Sequence, residues 1–152
     1  FLSTMILYTG SLFVFSNPGN PLYRSADEVK MFEYLVDNAP GDSVVLALHS
    51  TSNALPAWAP MRTLVGLGPE SMGLAELLPR IQSFYSQNVS VEQKMQLLDE
   101  FNIRYVICGP EEAAYGSCTF DKNLHLKLRF SQGDYWLYEY LEQSAWIGKM
   151  AV

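Results

Sequence analysis

The chain has 152 residues, the length of one domain by the usual span of roughly 100–200 residues, and about 70% of the unfolded surface of such a chain leaves water on folding. Its composition is 49% hydrophobic and 13% aromatic with 17% charged residues, which excludes a disordered chain. Lys and Arg number 10 against 16 Asp and Glu, a net charge of −6 with no basic cluster, so nucleic acid is excluded as a partner.

The chain opens on Phe1 and carries no charge through Phe15. Beginning without Met, it is expected to be a fragment, a processed product or a trimmed chain. The opening run is shorter than the ~20 apolar residues of a membrane span and lacks the basic start of a signal peptide. Two readings stay open: a buried strand or helix of the domain, or a juxtamembrane stretch. Residues 1–24 form a lead-in segment ending in the turn-rich Ser16–Arg24, and residues 25–152 form the domain.

Ser25-Ala-Asp-Glu28 has the spacing of a capping box, with Ser25 at the N-cap and Glu28 reaching back. The helix it starts runs to about Asn38 and is stopped by Ala39-Pro-Gly-Asp42. Ser43–Leu48 is a continuous apolar run, suited to a strand covered on both faces. His49–Pro60 is expected as a polar loop punctuated by two prolines, and Arg62–Gly66 as a short strand. Gly66–Ser71 turns into a helix with apolar residues from Leu74 to Tyr85, which Pro79 is expected to break or kink. A second capping box, Ser90-Val-Glu-Gln93, opens a helix over 91–101, with Asn102 as its left-handed end. Ile103–Cys108 is a strand, and 111–122 a polar loop. Leu124–Phe130 alternates as a half-buried strand, Ser131–Asp134 turns, and Tyr135–Leu141 returns as an aromatic strand. A short helix is expected around Ser144–Trp146.

The helical crossover between strands 43–48 and 103–108 favours parallel pairing. The expected fold is a single α/β domain, with a mixed, mainly parallel sheet flanked by helices and a C-terminal antiparallel hairpin.

Few residues carry chemistry. Cys108 ends an apolar run and reads as a small buried thiol, with a Cys108–Cys118 disulfide as the alternative. There is no CxxC, HExxH or Cys/His cluster, so neither metal nor cofactor is expected. Gly66-Leu-Gly-Pro-Glu-Ser71 lacks the Lys of a phosphate loop and reads as a turn and cap. No Gly-x-Ser-x-Gly elbow is present, His49 beside Ser50 does not by itself make a catalytic pair, and His125 reads as solvated. Glu111 and Glu112 are adjacent and read as a solvated pair pointing apart. Tyr135, Trp136, Tyr138 and Tyr140 read as core packing. Asn88-Val-Ser90 satisfies the N-glycosylation pattern, but Ser90 already has a capping role, so the motif reads as structural. Ligands of open α/β sheets sit beyond the strands' carboxyl ends, which directs attention to 49–60 and 109–122.

An ordered set of segments runs from Glu28 to Pro40, through Gly41–Ala47, Ser50–Ser71 and the Phe84-Tyr85 pair, to Leu97–Glu112 and a closing aromatic strand. Its most specific parts are Leu55-Pro-Ala57 through Gly66, and Ile103-Arg-Tyr-Val-Ile-Cys-Gly-Pro110. Over residues 25–140 this resembles the soluble C-terminal domain of bacterial polytopic membrane glycosyltransferases of the GT-C type, relatives of the protein mannosyltransferases. In the family pattern a His and an aromatic follow Gly66 and a Gly precedes Arg62. Leu67 and Met61 stand here instead, so any substrate contact by that His is missing.

The resemblance implies an extracytoplasmic domain of an integral membrane protein, with Phe1–Phe15 just after the last span and the catalytic carboxylates in membrane-proximal loops outside this chain. The leading expectation is a non-catalytic accessory domain, with the membrane-embedded portion as partner and a glycan or lipid-linked sugar acceptor as ligand. Its candidate binding residues are Asn53 for a hydroxyl, Trp58 for stacking, Arg62 for a phosphate or carboxylate, and Glu70. Two alternatives from other classes remain. One is a free-standing α/β hydrolase using His49 and Ser50. The other is a structural interaction module presenting the aromatic hairpin.

Overall fold

The computed structural model describes residues 2–16, 23–66 and 73–141. Its elements in chain order are α1 (Leu2–Ser16), α2 (Ala26–Asn38), β1 (Val44–Leu46), α3 (His49–Trp58), β2 (Arg62–Thr63), α4 (Leu74–Tyr85), α5 (Val91–Glu100), β3 (Ile103–Cys108), α6 (Pro110–Ala113), a 3-10 turn (Lys122–Leu124), β4 (Leu126–Gln132) and β5 (Tyr135–Tyr140). The strands form one sheet in the order β2-β1-β3-β5-β4. β1 pairs in parallel with β2 and β3, whereas β5 pairs antiparallel with β3 and β4. The α/β domain with its C-terminal hairpin is as expected. The sheet is evenly mixed rather than mainly parallel, because the hairpin joins β3 through β5 and adds two antiparallel pairings.

The apolar runs of β1 and β3 are covered on both faces, giving three layers. Leu46, Val106 and Cys108 face a core built with Ile81, Phe84 and Tyr85 of α4 and Leu97 and Leu98 of α5. Their neighbours Val45, Ala47, Tyr105 and Ile107 face Met31, Phe32 and Leu35 of α2 and Leu55 of α3. Successive strand residues point to opposite faces, so an unbroken apolar run is what a strand between two helical layers requires. The aromatic strand β5 serves this core: Tyr138 donates to the Cys118 carbonyl at 2.7 Å and Tyr140 to Asp99 Oδ1 at 2.8 Å.

Several expectations are corrected. His49–Pro60 is largely the helix α3, although Pro56 lies inside it. Pro56 has no N–H for the Ser52 carbonyl, and the Thr63 hydroxyl donates to that carbonyl instead, at 3.3 Å. β2 is only two residues long. α4 continues through Pro79. Ala75, whose carbonyl Pro79 leaves without a helical donor, lies on the exposed face beside it, where water can take the donor's place. At α2, Ser25 Oγ accepts from Glu28 N at 3.1 Å, but the Glu28 carboxylate turns to Arg24 instead of closing the box. The Ser90–Gln93 box of α5 is complete, and Asn102 has the expected positive φ, 50°.

α1 is a helix with no buried residue, so the reading of Phe1–Phe15 as a buried part of the domain does not hold. Leu2, Ile6, Leu7, Tyr8, Phe13 and Phe15 are among its exposed side chains. Among the described residues no helix is long and apolar enough to cross a membrane. The expected helix at Ser144–Trp146 and the turn over 67–71 lie outside the described residues.

Cys108 and Cys118 form a disulfide across a separation of 10 residues, which replaces the expectation of a free thiol. The reason lies in folding: α6 reverses the chain after Cys108, and the return carries Cys118 back over the end of β3. Gly116 allows this approach, since a Cβ there would lie 1.9 Å from the Tyr85 carbonyl oxygen.

Candidate functional site

Strands β1 and β3 lie side by side and end at the same edge of the sheet, where α3 and α6 begin. This is the position at which open α/β sheets place ligands. The N-terminus of α3 would also attract an anion, through its free N–H groups and the helix dipole.

The chain's own carboxylates occupy that place. Glu112, fully buried, accepts from Leu48 N at 2.8 Å and from Gly109 N at 3.0 Å, tying the ends of β1 and β3 together. Glu111 accepts from Ser50 N, in the first turn of α3, at 3.1 Å. The pair is therefore convergent on α3, not solvated and splayed, because α6 starts at Pro110 and presents its first turn to the first turn of α3. Gly109 leaves room here for the Tyr135 ring, which a Cβ at that position would approach to 2.7 Å and displace.

Arg24 completes the cluster. Its guanidinium donates to Glu28 Oε1 at 3.0 Å, to Ser50 Oγ at 3.2 Å and to the Ser50 carbonyl at 2.9 Å. The lead-in to α2 is thus bolted to the start of α3. Burial pushes the Glu28 carboxyl above its ordinary range, against the lowering effect of Arg24. Burial likewise raises Glu112, opposed by the backbone N–H groups it accepts from. Among the described residues, Glu28 Oε2 and Asn53 Oδ1 are buried without a hydrogen-bond partner.

This arrangement suits holding elements together rather than turnover. The anion position at α3 is filled, and the acids are engaged with backbone or Arg24. The Ser50 hydroxyl faces Arg24, while the His49 ring takes the Asn53 amide, 3.2 Å from each ring nitrogen, so His49 and Ser50 are not arranged as base and nucleophile. Among the described residues no group of His, Cys, Asp and Glu is placed to hold a metal ion.

The three candidate binding residues that are described do not form one site. Asn53 is half-buried against His49 at the carboxyl end of the strands. Trp58, 48% exposed, ends α3 with its ring 6.4 Å from that of Phe32. Arg62 opens β2 at the opposite edge, where its Nε donates to the Asp42 carbonyl at 2.9 Å. Trp58 ends α3 and Arg62 opens β2, so the two flank the corner between these elements, whereas Asn53 belongs to the other edge. Glu70 lies outside the described residues. His125 is exposed at the left-handed end of the 3-10 turn, as expected of a solvated residue.

The cluster itself escaped the sequence reading. One signal was present: Gly109-Pro-Glu-Glu112 places Pro and two acids in a helical first turn, where they are favoured. Nothing local connects Arg24 to Ser50, which lies 26 residues away.

No protein-family model matches the chain, and no curated protein matches it by sequence. Among solved structures, the chain is similar to the C-terminal globular domain of an oligosaccharyltransferase from Archaeoglobus fulgidus, with a TM-score of 0.52 and 12% sequence identity. The match covers 78% of this chain and 99% of that domain. At that identity the likeness is one of fold: this chain and that domain share an α/β architecture.

Proposed function

We propose that the chain is a non-catalytic accessory domain of a glycosyltransferase-like membrane protein, held at the extracytoplasmic face of the membrane. The observation that carries this reading is the fold likeness, which extends over 99% of the oligosaccharyltransferase domain. Two features support it. The usual ligand position of the sheet is filled by Glu111 and Glu112. α1 is uncharged, largely apolar and has no buried residue, a composition that suits lipid better than water. Its 15 residues span about 22 Å at 1.5 Å per residue, less than the ~30 Å hydrocarbon core. In this reading α1 enters the lipid as one end of a longer apolar segment. The bacterial mannosyltransferase relatives remain part of the proposal, on the sequence resemblance alone.

The domain's partner is the membrane-embedded portion of the same protein, and its task is to help bind a glycan or lipid-linked sugar acceptor or to cover the membrane active site. The Trp58–Arg62 corner is the acceptor-facing surface: an exposed indole offers a stacking face for a sugar, and Arg62 a charge for phosphate or carboxylate.

The reading is tested in three steps. The encoding frame should carry several apolar segments of about 20 residues before Phe1; a start codon a few residues upstream would overturn the membrane context. The purified chain should float with phosphatidylcholine vesicles, whereas a chain starting at Tyr23 should not. Neither should transfer sugar, and robust transfer by the chain alone would sink the accessory role.

A further inference from the structure

The connection between α4 and α5 holds Gln87-Asn88-Val89-Ser90 in an exposed turn. Asn-x-Ser is the acceptor pattern for N-linked sugar, and it is usable only where the Asn amide is accessible. Asn88 is exposed, and its backbone N–H is held by Ser86 Oγ at 3.3 Å. A groove of about 280 Å³ runs alongside, between α4 and α5, with Val89 on its wall. Arg80, Ser83, Gln93, Lys94 and Gln96 surround it over Phe84, a set of donors and acceptors around an apolar floor that suits sugar hydroxyls and ring faces. The Cys108–Cys118 disulfide belongs to an oxidising compartment, the same side of the membrane on which exported proteins acquire N-linked glycans.

We propose that Asn88 is an N-glycosylation site whose first sugar lies against the α4–α5 groove. The donor is a polyprenol-phosphate-linked saccharide. Asn88 Nδ2 forms the bond to the anomeric carbon, the bond from that carbon to the phosphate oxygen breaks, the lipid phosphate leaves with the electron pair, and one Nδ2 proton is released. Ser90 has two roles here: its hydroxyl completes the acceptor pattern and caps α5, accepting from Gln93 N at 3.3 Å. The inference rests on the exported location but not on the accessory role of the domain.

The two roles of Ser90 can be separated. The full reading frame is produced in cells that attach N-linked glycans to exported proteins. The tryptic peptide Ile81–Lys94, in which Asn88 is the sole asparagine, is then read by mass spectrometry. The expected result is a glycan mass on Asn88 that survives Ser90→Thr and is lost in Asn88→Gln and Ser90→Asp. Asp caps a helix about as well as Ser, so Ser90→Asp should keep the melting temperature while abolishing modification. An unmodified peptide from molecules whose Cys108–Cys118 bond is oxidised would overturn the site and leave the accessory reading standing. Reduced cysteines throughout would overturn the exported location on which the site depends.

Discussion

The buried carboxylate of Glu112 accepts a hydrogen bond from the backbone N–H of Leu48, 64 residues earlier in the chain, at 2.8 Å. Its other oxygen accepts from Gly109 N, so one side chain clamps the ends of two neighbouring parallel strands. An apolar side chain here would strand two buried donors. Such groups cost about 1–3 kcal/mol each when left unmade, so Glu112→Ala should destabilise the domain by roughly 2–6 kcal/mol. Glu112→Gln, which keeps one acceptor oxygen, should cost less. Urea denaturation of the three proteins checks this, and equal stability for all of them would refute the clamp.

Glu28 gives a pH prediction. Burial raises its folded-state pKa above 4.5, with Arg24 opposing. The folded chain therefore binds protons more readily than the unfolded one. The resulting stabilisation is full below pH 4.5 and is lost as pH rises through the folded value. Glu28→Gln removes this titration while keeping an acceptor for Arg24. Relative to the mutant, the wild type should therefore lose stability from pH 4.5 to pH 7. Melting curves at several pH values give the difference; a wild type that gains on the mutant over that range would contradict the sign.

Thr63 stands in for the N–H that Pro56 lacks. Thr63→Val removes the donor to the Ser52 carbonyl and should cost about 1 kcal/mol, the worth of one ordinary hydrogen bond. In the Pro56→Ala background a helical N–H becomes available to the same carbonyl, so the cost of Thr63→Val should fall. The double-mutant cycle by chemical denaturation isolates this coupling. Strict additivity would show that the two residues do not share the carbonyl.

The disulfide should contribute about 3 kcal/mol, the loop-entropy value for a separation of 10 residues. Reduction should lower the denaturation midpoint accordingly and loosen the loop that carries Phe120, whose ring packs on Phe84, Tyr85 and Tyr138. Denaturation with and without a phosphine reductant measures the first effect, and near-ultraviolet circular dichroism the second. An unchanged midpoint would contradict a net stabilisation through the unfolded chain.

Much of the fold was legible in local pattern. Ser25 and Ser90 announced the starts of α2 and α5, because an N-cap hydroxyl satisfies a donor only three residues away. The continuous apolar runs of β1 and β3 announced strands, and that of β1 a strand covered on both faces, but whether the domain had two layers or three was decided only by the packing of the two cores. α3 was hidden because Pro56 argues against a helix, and the compensation comes from Thr63, beyond the helix itself. The disulfide was hidden because cysteine spacing says nothing about whether the chain between turns back.

The sequence by itself determined the alternation of helices and strands, the absence of catalytic motifs and the uncharged character of α1. These depend on contacts within a few residues or on composition. The tertiary structure decided the rest: that Arg24 meets Glu28 and Ser50, that Glu111 and Glu112 fill the start of α3, and that Asn53 and Arg62 lie at opposite edges of the sheet. Those relations join residues far apart in the chain. Their energy appears only once the two apolar cores have brought β1 and β3 side by side and set α3 against α6. Burial then gives the carboxylates their partners and raises the Glu28 and Glu112 pKa values, changes that side-chain identity does not specify.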